Sequence, residues 1–373
     1  MKTALLHYWL TNVRGGEKVL AALLDMLPGS DVFTHAYIPE KVPHISPSRV
    51  RESFIAHLPL GRAHPQAYLP LMPTATRMFD LDDYDLIVSS ESGPIKGIRK
   101  PSTSRHICYC HSPMRYLWDM HDEYYRSTGV VGKMAMKAFT GYLRKEDLRS
   151  AESVDEFVAN SLFVAKRIRR IYNRESTVVH PPVDVEYFGK SGTLPLPSGL
   201  EAGSYYLYAG ELRDYKHPDL AVEACLRMGR KLVVVGNGGM HGKLARRAGG
   251  NADILFLGRV SDEELRGIYS SARALLFPGI EDFGIVPVEA QAAGVPVIAR
   301  SDGGALETVD DGVTGLFFSD SSASSLCSAI ERFEARAWSS EKCKANASRF
   351  SVENFKSKMK SVLGRIPLPI SDA

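Results

Sequence analysis

Two glutamates, Glu281 and Glu289, have seven residues between them, and the interval contains Gly284, Ile285, Val286 and Pro287. Apolar runs at 274–277 and 295–299 flank the pair. This pattern places Glu281 just past the carboxyl end of a strand. It also starts a helix whose first turn takes Pro287 and whose stop is Gly294. The amides of Gly284, Ile285 and Val286 then point along the positive end of the helix, where an anion is welcome. Glycine at 284 lets a ligand come close to the backbone. Two merely solvated acids would fit the same spacing. The chemistry that needs both is a ligand with a diphosphate flanked by hydroxyls, the shape of a nucleotide sugar.

Such residues need strands that end along one edge. Short β-rich runs alternate with helical patterns at 3–8, 17–26, 31–36, 86–89, 106–110, 156–159, 161–172 and 176–180. That βαβ rhythm predicts a parallel sheet with helices on both faces. A stretch rich in Gly, Pro and Ser at 189–204 reads as a linker. The rhythm restarts at 205–208 and runs through 218–228, 231–235, 242–248, 254–257, 262–271, 274–277, 287–293 and 296–299. A chain of 373 residues also exceeds what one core sustains. The expectation is an α/β protein with two doubly wound, Rossmann-like domains, 1–188 and 189–351. A helix and tail at 352–373 pack back on the first domain. Ligands bind where the carboxyl ends of the two sheets line a cleft between the domains.

Composition narrows the partners. Lys plus Arg total 46 against 43 Asp plus Glu, a net charge of +3 that is too mild to imply nucleic acid. Five scattered cysteines, Cys108, Cys110, Cys225, Cys327 and Cys343, suit a reducing cytosol better than a disulfide framework. Cys108-Tyr109-Cys110-His111 lacks a second ligand cluster at zinc spacing and reads as a strand end. No apolar stretch is long enough to span a membrane. The segment 126–149 interleaves Lys133, Lys137, Arg144 and Lys145 with Val130, Val131, Met134 and Phe139. A basic amphipathic segment suits an anionic membrane surface, although an ordinary surface helix has the same pattern. Asp80-Leu81-Asp82 has the spacing of a metal-binding acid pair but reads as a solvated turn before 86–88.

Glu281 and Glu289, within FPGIEDFGIVPVEAQAAGVPVIAR, resemble the E-x7-E motif of glycosyltransferase family 4, retaining enzymes of the GT-B fold. Further fragments extend the resemblance over nearly the whole chain: WLTNVRGGEKV at 9–19, YCHSPMRYLWD at 109–119, VVGNGG at 234–239, FLGRVSD at 256–262 and DGGALETV at 302–309. The branch it resembles is that of bacterial polysaccharide mannosyltransferases.

The resemblance implies that Glu281 contacts hydroxyls of the donor sugar and Glu289 the ribose hydroxyls. Phe283, Gly284, Ile285 and Val286 would line the sugar and diphosphate. Gly15 and Gly16 would form a loop facing the phosphates, and His111 would lie near the transferred sugar. Read locally, His111 fits a capping or core histidine as well. Gly236 and Asn237, with Arg259 and Val260, would turn around the base and ribose. In the family a cation pair neutralises the diphosphate. Here Lys216 is in place, but Glu211 occupies the usual arginine position, so either Arg213 substitutes or the site is weakened.

The resemblance further implies hexose transfer, mannose from GDP-mannose, to a polyprenyl-diphosphate-linked glycan, with no metal or cofactor. The protein would act in the cytoplasm, peripherally on the inner face of the membrane. A GT-B-shaped nucleotide-sugar epimerase and a non-catalytic nucleotide-sugar-binding subunit are the alternatives.

Overall fold

The computed structural model describes residues 1–190, 192, 194, 196–197 and 199–365. Part of the 189–204 stretch and the tail from 366 lie outside the described residues. The chain divides into two compact units. One is Met1–Pro181 together with the chain from Phe355, and the other is Pro182–Asn354.

The first unit holds seven strands: β1 (Thr3–His7), β2 (Asp31–Thr34), β3 (Val50–Glu52), β4 (Leu86–Glu91), β5 (Arg105–Cys110), β6 (Glu156–Ala159) and β7 (Ser176–Val178). They order as β3-β2-β1-β4-β5-β6-β7, and every pair is parallel. The second unit holds β8 (Tyr205–Ala209), β9 (Lys231–Val235), β10 (Ile254–Gly258), β11 (Ala274–Phe277), β12 (Val297–Arg300) and β13 (Gly315–Phe318). Their order is β10-β9-β8-β11-β12-β13, again parallel throughout. Each order reverses beside its first strand, at β1/β4 and β8/β11. Ligands of doubly wound sheets bind at that switch.

Alternation along the strands builds a core on both faces of each sheet. In β1, Leu5 joins one buried cluster, while Ala4 and Leu6 join another. In β8, Tyr205, Leu207 and Ala209 face one core, and Tyr206 and Tyr208 the other. The helix Val352–Leu363 places Phe355, Met359 and Val362 in the same core as Leu5, Leu20 and Tyr109 of the first unit.

Three expectations need correction. Residues 182–188 pack with the second unit, since Val183 and Phe188 lie in its core. The edge strands β3 and β13 were not read from the sequence. Two helices start earlier than expected, Gly15–Met26 and Ile285–Ala292. The first residues of a helix owe no intrahelical amide bond, so glycines and β-branched residues are tolerated there.

A buried charged cluster braces the first unit. The Lys96 ammonium lies 2.6 Å from Glu91 Oε1 and 2.5 Å from Asp147 Oδ1. The indole N–H of Trp118 donates to Asp147 at 2.7 Å. The Glu91 carbonyl accepts the His111 amide at 2.8 Å, which fixes the backbone where β5 ends.

Candidate functional site

In the second unit, the ends of the adjacent strands β8 and β11 bring two predicted residues together. Lys216 Nζ is 2.7 Å from Glu281 Oε1, and both side chains are only partly exposed. Burial alone would lower the lysine's pKa, but the Glu281 carboxylate, helped by Tyr215 and Glu211, raises it above the ordinary value. Gly279 permits this approach. A Cβ there would come within 2.7 Å of Lys216 Cα. Sequence reading passed over Gly279, although a bare residue between a strand end and an acid was a usable signal.

Gly284 has φ +90° and caps Ile285–Ala292. Only glycine adopts that conformation without strain. The amides of Gly284, Ile285 and Val286 stand at the cap and first turn, where no intrahelical acceptor serves them. Phe283 is buried edge-on to Phe350, 5.4 Å between ring centroids. The loop before the helix is buttressed from below: the Gly304 amide donates to the Glu281 carbonyl at 2.8 Å. A Cβ on Gly304 would stand 2.3 Å from Phe283 Cα. This gives the DGG run at 302–304 a role that sequence reading did not assign.

Glu289, 7% exposed, accepts from the Tyr269 hydroxyl at 3.3 Å. Burial first, and this carboxylate second, raise the Tyr269 pKa well above normal, so the phenol stays a donor. Tyr269 was missed because nothing in its local sequence marks it.

Gly236 has φ +123°, and a Cβ would stand 1.9 Å from the Gly210 carbonyl. The backbone turns after β8 and β9 are thus interlocked. The Leu212 amide donates to the Asn237 carbonyl at 3.0 Å, and the Gly236 amide to Gly258 at 2.7 Å. Arg259 is exposed and Val260 half-buried.

Arg213 is not presented freely. Its Nε donates to Glu211 Oε1 at 2.9 Å. The acid in the usual arginine position therefore holds the cation expected to replace that arginine.

The first unit gathers a second cluster at its own strand switch. His111 Nε2 lies 2.8 Å from Ser90 Oγ, which lies 3.2 Å from His7 Nδ1. His7 Nε2 faces Glu17 Oε1 at 3.6 Å. Burial, then the neighbouring His7, push the His111 pKa down to about 3 against the pull of Glu17, so the ring is neutral at ordinary pH. Gly15 and Gly16 form the first helical turn rather than a loop. A Cβ on Gly16 would press within 3.3 Å of His7 Cε1 and 3.5 Å of His111 Nε2.

The helix Val130–Ser150 exposes Val130, Val131 and Met134, with Lys137 and Lys145 also exposed. Arg144 does not belong to this surface. Its Nε donates to the Leu117 carbonyl at 2.6 Å, and its guanidinium lies over the Trp118 ring. Among the described residues, no helix is long and apolar enough to cross a membrane. No three His, Cys, Asp or Glu converge there as metal ligands either.

Two parallel, doubly wound sheets of this kind define the GT-B class. Family models agree: "Glycosyltransferase Family 4" matches residues 13–187 and "Glycosyl transferases group 1" residues 199–350. The chain belongs to the family 4 glycosyltransferases.

Among curated proteins, it is 32% identical over 189 residues to D-inositol 3-phosphate glycosyltransferase of Kribbella flavida, covering 44% of this chain and 45% of that one. The enzyme of the same name from Mycolicibacterium smegmatis is 25% identical over 306 residues, 68% of each chain. The matches thus span from under half to about two thirds of these relatives' lengths. Anabaena Alr3699/HepE, solved with UDP, superposes with a TM-score of 0.73 at 19% identity, covering 98% of this chain and 100% of that one. Its structure with UDP-glucose gives 0.72 at 18% identity, with the same coverage.

Proposed function

We propose that this protein is a retaining glycosyltransferase that moves a hexose from a nucleoside diphosphate sugar to a hydroxyl acceptor. The Lys216–Glu281 pair, set before the amino end of the helix that carries Glu289, carries this reading. A diphosphate would draw Lys216 and accept from the amides of Gly284, Ile285 and Val286. Glu281, released from the lysine, would accept from sugar hydroxyls, and Glu289 from the ribose.

As the glycosidic bond breaks, charge gathers on the departing phosphate, and Lys216 and the amides stabilise it most there. These groups meet that charge without calling on a metal or other cofactor. The phosphate oxygen helps remove the acceptor's proton on the same face. Glu281 is then not a nucleophile of the paired-carboxylate type.

The finer reading is mannose from GDP-mannose, delivered to a polyprenyl-diphosphate-linked glycan at the inner membrane face. The exposed Val130, Val131 and Met134 beside Lys137 and Lys145 support membrane contact. The named activity of the curated relatives favours a second acceptor, a phosphorylated polyol.

Transfer and donor-hydrolysis assays test the proposal, run with a panel of nucleotide sugars and with lipid extract or inositol phosphate. Transfer with GDP-mannose only in lipid extract supports the finer reading. Transfer to inositol phosphate replaces the acceptor. Free nucleotide without acceptor turns the reading toward an epimerase. Binding without turnover by any donor returns the protein to a non-catalytic subunit.

A further inference from the structure

The cluster at the β1/β4 switch has a direction. The register pairs His7 with Ser90 across β1 and β4, and β5 ends one residue before His111. Glu17 Oε2 already accepts the Arg14 amide at 2.9 Å, and its Oε1 faces His7 Nε2. The 3.6 Å contact is longer than a hydrogen bond, but a carboxylate only accepts, so its charge favours the hydrogen on the facing nitrogen. With the ring hydrogen placed there, His7 Nδ1 faces Ser90 Oγ as a bare acceptor. The single hydroxyl hydrogen of Ser90 must go to that nitrogen. Ser90 Oγ therefore receives a hydrogen from His111 Nε2.

We propose that Ser90 and His7, oriented by Glu17, are positioning residues that hold His111 in the Nε2–H tautomer and leave its Nδ1 a bare acceptor. Resting on the glycosyltransferase reading, this makes His111 an acceptor for a hydrogen of the bound substrates rather than a donor. Gly16 keeps the arrangement compact, since a Cβ there would press on the His7 ring while touching that of His111.

The test is nitrogen-15 NMR of the imidazole side chains in the full chain at neutral pH, with His111 assigned by comparison with His111→Asn. A single Nε2–H tautomer is expected in the unsubstituted protein. Ser90→Ala should give mixed tautomers and lower kcat about tenfold, with donor KM unchanged, as for the loss of one orienting bond. Ser90→Thr should restore both. An Nδ1–H tautomer in the unsubstituted protein overturns the proposal whether or not any variant folds. A tautomer unmoved by Ser90→Ala overturns it too. If the NMR outcome holds while His111→Asn transfers normally, the relay stands and His111's part in the reaction fails.

Discussion

The Lys216 ammonium and the Glu281 carboxylate, 2.7 Å apart, neutralise each other at the ends of two neighbouring strands. A phosphate that takes the lysine uncouples the acid for other partners. Glu281→Gln should therefore keep the fold and lose transfer by about two to three orders of magnitude, the scale of one transition-state contact. Steady-state kinetics beside a thermal melt checks this. Full turnover in a folded variant would remove Glu281 from the donor site.

Gly279→Ala should act through Lys216. The added carbon would strike the lysine backbone, so the site must shift, at about 1–3 kcal/mol. Donor affinity and melting temperature should fall together. Gly239→Ala meets no neighbouring atom and should change neither.

The Arg213–Glu211 pair is exposed enough to be weak, worth about 0.2–1 kcal/mol. Glu211→Gln should thus release Arg213 and tighten donor binding by about two- to fivefold. Arg213→Ala should weaken it by at least as much. Isothermal titration with the donor decides between this and a silent Arg213, which would leave Lys216 to act with the amides alone.

For the membrane, replacing Lys137 and Lys145 with Gln should weaken binding to anionic vesicles by about 1 kcal/mol per residue. Arg144→Gln should instead lower stability, because that side chain is committed to Leu117 and Trp118. Vesicle sedimentation and melting separate the two effects.

Acid should unfold the protein partly through its histidines. Burial pushes His35 and His106 down to about 4 each, so both stay neutral in the fold yet charge near pH 6.5 once unfolded. Their stabilisation is present above pH 6.5 and is lost as pH falls toward 4. Glu91 works the other way. Burial, opposed by Lys96 and aided by Asp147, lifts it to about 7, so the stability it contributes declines as pH rises from 4.5 to 7. The melting temperature of Glu91→Gln should accordingly climb more steeply with pH over that range than that of the unsubstituted chain. Parallel curves would remove Glu91 from the balance.

Much of this was legible in the chain. Strands buried on both faces declared themselves as apolar runs, and Pro218–Met228 and Asp262–Ser271 have the bounds their periodicity implied. The edge strand β3 is short, and Val50-Arg51-Glu52 shows no apolar period to detect, whereas β13, Gly-Leu-Phe-Phe, offered an apolar run that went unread. Glu281 and Glu289 stand out through their seven-residue interval around Gly284 and Pro287, whereas Lys216 was placed only by the family resemblance. Ser90 could not be found that way. Its partner His7 lies 83 residues earlier, and only the β1/β4 register brings them together. The Glu211–Arg213 pair is local in sequence, yet spacing alone cannot tell a paired cation from a free one.

The helix Val352–Leu363 also sets a schedule for biosynthesis. Leu5, Leu20 and Tyr109 leave the ribosome early, but Phe355, Met359 and Val362, which cover them, are made only after the whole of 182–354. At about 5–20 residues per second, that interval is on the order of ten seconds or more. Through it Leu5, Leu20 and Tyr109 stand without the last three side chains of their core. A message truncated before codon 355 would yield a protein that never completes that core.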